Sequence, residues 1–243
     1  MKILGIESAS MTASAAVLED DHLTAEYTID YKKTHSQTLL PMIAEIRDMI
    51  QLDLDTLDAI AVSGGPGSFT GLRIGSATAK GLGLALDKKL IHVPTLDAMA
   101  YQIFGTPGLI CALMDARKEN VFAGIYRNQE KFEIVKPACH INIHELAALL
   151  NQLDEPVILT GDGADAYLMQ LREDSRVSLR RAPAFACRAR AGAVAALGMI
   201  YYKEGRTETA AAHVPDYLRV SQAERQLAEA EQKMAAGSSG DAL

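Results

Sequence analysis

Alternating apolar and polar positions mark residues 3–6, 13–18 and 23–31 as three strands, separated by Glu7-Ser8-Ala9-Ser10 and Glu19-Asp20-Asp21. They read as an antiparallel meander. Over 36–50 the period changes: Leu39, Ile43, Ile46 and Ile50 recur at steps of four, three and four, the stripe of an amphipathic helix capped by Ser36 or Thr38. Pro41 is expected near its first turn, where a missing N–H is tolerated. The run Ala59-Ile60-Ala61-Val62 is a strand entering a glycine-dense turn, and a helix follows from Thr70, the expected N-cap, to about Leu86. Residues 90–93 form another strand, and a further helix opens at Thr95.

The same order restarts after Gly105-Thr106-Pro107-Gly108, the densest cluster of chain breakers since residue 67. Strands are expected at 109–114, 120–127, 131–136 and 157–160, with helices from about Ile143, after Gly161-Asp162-Gly163, and over 186–202. In each half the first strand ends at a carboxylate, Glu7 or Asp115, set at a tight turn. The pattern implies an α/β protein of two duplicated β-β-β-α-β-α lobes, 1–106 and 107–220, with closing helices at about 186–203 packing back on the first lobe. Residues 221–243, rich in Ala, Glu, Gln, Gly and Ser, are expected to be a frayed helix and a disordered tail.

One stripe of the helix after the glycine turn is nearly bare: Gly71, Gly75, Ala79 and Gly83 follow at spacing four. An interior glycine costs about 1 kcal/mol against alanine, so the cluster forgoes roughly 3 kcal/mol of helix propensity. Close packing must return it. With Leu72, Leu82 and Leu86 as anchors on the chain's own sheet, the stripe is expected to be free for a neighbouring subunit.

Composition narrows the function. A net charge of −7 argues against autonomous nucleic-acid binding, which needs a surplus of lysine and arginine on one face. Three scattered cysteines, Cys111, Cys139 and Cys187, suggest neither a disulfide framework nor a CxxC site, so a reducing cytoplasm is expected. The N-terminus shows no leader pattern, and the longest apolar stretch, 191–202, is too short to span a bilayer. The turn from Gly65 to Gly71 is one residue too long for a dinucleotide fingerprint, and no Gly-Lys-Ser or Gly-Lys-Thr follows it to make a phosphate loop. No serine sits in a GxSxG elbow. His35 has Leu39 where a second ligand one helical turn on would stand, and His22, His92, His140, His144 and His213 show no ligand spacing. No metal site and no catalytic residue are expected.

Gly65-Pro66-Gly67-Ser68-Phe69-Thr70-Gly71-Leu72-Arg73-Ile74-Gly75, with Ala79-Lys80-Gly81-Leu82, resembles the motif of the bacterial tRNA threonylcarbamoyladenosine biosynthesis family TsaB. His35-Ser36, Leu39-Leu40-Pro41, Asp115-Ala116-Arg117 and Pro215-Asp216-Tyr217-Leu218-Arg219 support the resemblance, which covers about residues 1–220. It implies an actin-like ATPase (RNase H-like) fold. It also implies a non-catalytic subunit for threonylcarbamoyl transfer to the adenosine 3′ of the anticodon in tRNAs reading codons that begin with A. The catalytic paralogue (TsaD-type) and a small ATPase (TsaE-type) would be its partners, with tRNA bound only through the complex and a homodimer as the other assembly available to the chain alone. Leu39, Ile43, Ile46, Gly71, Arg73, Gly75, Ala79 and Gly83 are the expected partner interface. Glu7, Ser8, Gly64, Gly65, Gly67, Ser68, Asp115, Gly161 and Gly163 are the expected vestigial nucleotide or phosphate contacts. The resemblance further implies that this chain alone binds no cofactor, ATP/ADP and metal belonging to the partner or the complex interface. The competing class is an enzyme, either an ATP-dependent phosphotransferase of the same fold or a glycoprotease-type metallopeptidase. It would need a glycine after Asp115 and a second histidine at position 39, and the sequence has neither.

Overall fold

The computed structural model describes residues 1–31 and 34–218. Strands β1 (Lys2–Glu7), β2 (Ala13–Glu19) and β3 (His22–Ile29) form the meander; α1 (His35–Met49), β4 (Ala59–Gly65), α2 (Phe69–Ala85), β5 (Lys89–Pro94) and α3 (Thr95–Tyr101) follow. The second half repeats them as β6 (Leu109–Arg117), β7 (Asn120–Asn128), β8 (Phe132–Asn142), α4 (Ile143–Leu153), β9 (Val157–Thr160), α5 (Asp162–Asp174), β10 (Leu179–Arg181) and α6 (Ala191–Lys203). The two sheets have the orders β3-β2-β1-β4-β5 and β8-β7-β6-β9-β10. In both, the first three strands are antiparallel and the last two join in parallel. This is the duplicated RNase H-like unit of the actin-like fold. Each unit carries one strand beyond the expected β-β-β-α-β-α pattern; β5 was legible, whereas β10, three residues long, was too short to leave a period in the sequence.

Strand alternation divides the first lobe into two apolar layers. Leu4, Ile6, Ile60 and Val62 face α1 and α2, where they meet Leu39, Met42, Ile43, Ile46 and Ala79. Ile3, Ala59, Ala61 and Val93 face the other way, against Val194, Ala195 and Leu197 of α6. Closing helix α6 thus lies on the sheet of the other half, while α3 sends Leu96, Met99 and Ala100 into the core of the second sheet. The exchange is tied by Asp97 of α3, whose buried carboxyl accepts from the hydroxyls of Tyr126 at 2.8 Å and Tyr201 at 3.4 Å.

Several local expectations need correction. Helix α1 begins at His35 with Thr34 at the N-cap, not Ser36 or Thr38, and no side chain caps it. Pro41 therefore lies in the second turn. Ser68, not Thr70, caps α2, its hydroxyl accepting from the Gly71 N–H at 3.3 Å. Helix α6 starts at Ala191, because residues 184–186 form a separate 3-10 turn after Pro183. The expected frayed helix and tail at 221–243, like Arg219, fall outside the described residues.

Candidate functional site

Parallel pairing of β1 with β4 brings their carboxyl ends together, so Glu7 reaches Ser63 and the glycine turn. Glu7 is fully buried. Its Oε1 accepts from the N–H groups of Ala9 at 2.7 Å and Ser10 at 3.3 Å, and its Oε2 from the hydroxyl of Ser63. Burial pushes this carboxyl up to about 7, against the opposing pull of those three donors.

The turn residues around it press on the chain itself. Ser68 N–H donates to the Ala9 carbonyl at 2.7 Å, and Ser8 hydroxyl donates to the Gly71 carbonyl at 2.9 Å. A Cβ on Gly67 would collide with the Ala9 carbonyl, and one on Gly71 with that of Ser8. Gly65, at φ +123°, takes the left-handed backbone that glycine alone holds easily, and it faces the carbonyl of Asp216. Asp216 N–H in turn donates to the Gly64 carbonyl at 2.6 Å. Where the resemblance implies vestigial phosphate contacts, residues 8–9, His92 and Asp216 lie against the glycines of the turn.

Asp115, Gly161 and Gly163 form a second cluster, at the carboxyl ends of β6 and β9. Gly161 is at φ +100°, and a side chain there would meet the Leu113 carbonyl. The Asp115 carboxylate accepts from Tyr167 hydroxyl at 3.0 Å and from Arg117 N–H at 2.8 Å, and it pairs with the Arg117 guanidinium at 3.2 Å. Arg117, Lys118 and Glu119 all have positive φ, 69°, 55° and 57°, in the turn between β6 and β7. Burial pushes the Asp162 carboxyl up from its ordinary value, while its Oδ1 accepts from Asp115 N–H at 3.3 Å.

The expected interface is corrected most. Leu39, Ile43, Ile46, Gly71, Gly75, Ala79 and Gly83 are buried within the chain, not presented to a neighbour. A Cβ on Gly75 would collide with the Ser8 hydroxyl; one on Gly83 would sit 3.0 Å from Ala210 Cβ and from Leu90 Cδ2. The small stripe therefore lets α2 lie close to the β1–β2 turn and lets the C-terminal segment pass over its end. Leu82 and Leu86, expected as anchors, are only partly buried. Of the expected interface, Arg73 alone is exposed, its guanidinium 3.9 Å from the Phe69 ring centre. Arg73, Ala77, Gly81 and Leu84 form the outward stripe of α2, and Leu40 and Met49 are exposed on α1.

Three histidines carry further information. His35 points Nε2 at the Ser10 carbonyl, 2.8 Å away, while Leu39 is buried in the core. No two-histidine ligand pair forms on α1. Spacing gave no hint of another group: His92, Glu208 and His213 place one ligand atom each within 4.8 Å of one another. Burial, reinforced by His213, holds His92 below its ordinary value.

Over residues 22–227 the chain matches the family described as TsaD: tRNA N6-adenosine threonylcarbamoyltransferase. It is similar to the tRNA threonylcarbamoyladenosine biosynthesis protein TsaB of Bacillus subtilis (strain 168), 30% identical with 92% of this chain and 96% of that one covered. The protein of the same description from Escherichia coli (strain K12) is 32% identical, covering 74% and 79%. Among solved structures, an uncharacterized protein with similarity to peptidase YeaZ from Pseudomonas aeruginosa superposes with a TM-score of 0.74 at 25% identity, covering 90% of this chain and 99% of that one.

Proposed function

The chain belongs to the TsaB family of tRNA threonylcarbamoyladenosine biosynthesis proteins, and from that premise we propose that it is the non-catalytic subunit that binds and stabilises a TsaD-type catalytic paralogue. The carrying observation is Leu39. The resemblance assigns metal binding in the paralogue to a His-x-x-x-His pair; here the second position is an apolar side chain buried in the sheet core, and leucine has no lone pair to offer. The self-filled turn at Gly64–Gly71 and the Arg117–Asp115 ion pair support the same assignment. ATP/ADP and the catalytic metal then belong to the partner or to the complex interface, a small TsaE-type ATPase completes the system, and tRNA is held through the complex. Its compartment is the cytoplasm; among the described residues no helix is long and apolar enough to cross a membrane.

The contact surface in this proposal is the outer side of α1 and α2, where Leu40 and Leu84 are exposed apolar side chains. The same surface would close a homodimer when the paralogue is absent. Purified alone, the chain is expected to transfer no threonylcarbamoyl group, and mixed with the paralogue it is expected to elute as a larger complex. Leu84→Asp should weaken that complex while leaving the melting temperature of the free chain unchanged. Transfer by the chain alone would overturn the assignment, and an unimpaired Leu84→Asp complex would move the interface elsewhere.

A further inference from the structure

We propose that His92, Glu208 and His213 form a binding site for one divalent transition metal of the zinc class, which fastens the C-terminal segment to the first lobe. The three donors, His92 far from the other two in sequence, are brought together by the fold. His92 stands on β5; Glu208 is held by a two-bond bridge to Leu90, 2.9 Å each way; and His213 is turned back by its N–H bond to the Thr209 carbonyl at 3.2 Å. Their ligand atoms lie within 4.8 Å of one another, and His213 Nδ1 is 2.7 Å from Glu208 Oε1. Ligands about 2.0–2.2 Å from a tetrahedral ion lie roughly 3.3 Å apart, so small side-chain rotations complete the set.

Two further observations fix the donors in place. The His213 side chain is wholly buried, and its Nδ1, the nitrogen that meets Glu208 Oε1, is the one offered to the ion. His92 packs on the bare backbone of Gly64, where a Cβ would overlap three atoms of the ring. Lys80 does not compete for the donors, since its ammonium bonds to the carbonyls of Ala211 at 3.2 Å and His213 at 2.9 Å.

Two imidazoles and one carboxylate, with a fourth position left for water, suit zinc or cobalt and not calcium or magnesium, which take oxygen ligands. The site is separate from α1 and from the transfer chemistry, so it stands whether or not the chain is catalytic. Its effect would be local: it holds the segment that carries Asp216 against Gly64 and Tyr217 against Phe69, ring centres 4.8 Å apart.

The test is a titration of the chelator-treated full chain with Co²⁺, read by visible absorption, and with Zn²⁺, read by calorimetry. One equivalent of each metal is expected to bind, with the intense visible bands of four-coordinate cobalt and a rise in melting temperature. His92→Gln and Glu208→Gln should each weaken binding at least tenfold and abolish the melting shift, while His144→Gln, at a surface histidine paired with Asp174, should change neither. Should His92→Gln fail to fold, Glu208→Gln, at a partly exposed carboxylate, reads the same loss. Absence of binding to the unaltered chain, or binding that Glu208→Gln leaves intact, overturns the site and leaves a His213–Glu208 hydrogen bond with His92 as a ring neighbour.

Discussion

Glu7 shows how one buried side chain carries a pH response. Its folded value of about 7 lies above the ordinary 4.5, raised by loss of solvent. Between those values the folded chain keeps a proton that the unfolded chain releases. The stability this carboxyl contributes is therefore intact below about pH 4.5 and is lost as pH rises toward 7, a fall on the order of 3 kcal/mol. Glu7→Gln should flatten that part of the profile, measured as urea midpoints from pH 5 to pH 8; equal slopes for the two proteins would refute it. Gly75 is the second informative residue. Because a Cβ there meets Ser8 Oγ and lies 3.7 Å from Val62 Cγ2, Gly75→Leu should destabilise the monomer by about 1–3 kcal/mol or more through overpacking. The folded fraction should still associate. Unchanged denaturation together with lost association would restore the stripe as an interface.

At the scale of the element, α2 separates two kinds of small residue. Gly71, Gly75 and Gly83 are small because another part of the chain lies against them, whereas Gly81 faces open space, with nothing within 4 Å of where a Cβ would stand. Gly81→Ala should therefore stabilise the isolated chain by up to about 1 kcal/mol, the helix-propensity difference, as read by denaturant unfolding. A loss of stability would mean that the helix end is packed more tightly than its contacts indicate. Helix α1 makes the same point with apolar residues: Leu39, Ile43 and Ile46 hold it to the sheet, while Leu40 and Met49 stay exposed.

Across the whole molecule, the two lobes are joined by exchanged helices and by the C-terminal segment. Tyr126 is wholly buried, and its hydroxyl is the closer of the two that donate to the Asp97 carboxyl at the crossing. Removing it leaves a buried carboxyl short of a donor. Tyr126→Phe should cost about 1–3 kcal/mol of stability in urea unfolding, well above the effect of losing an exposed hydroxyl. A loss no larger than a few tenths of a kcal/mol would show that Tyr201 suffices. Arg188 adds a weaker tie on the surface, bonding Asp30 of one lobe at 2.8 Å and Asp165 of the other at 2.7 Å.

What the sequence by itself determined is what local sterics and periodicity carry. The two-residue and 3.6-residue patterns located nine of the ten described strands and the repeated order, and the glycine motif from Gly65 to Gly75 carried the family resemblance. Only the tertiary structure decided which face each stripe presents. A run of small residues records that something lies close, and its spacing is the same whether that neighbour is another subunit or the chain's own β1–β2 turn. The helix exchange and the His92–Glu208–His213 group were illegible for the same reason: residues some hundred positions apart become neighbours through sheet order and chain reversal, which leave no local period.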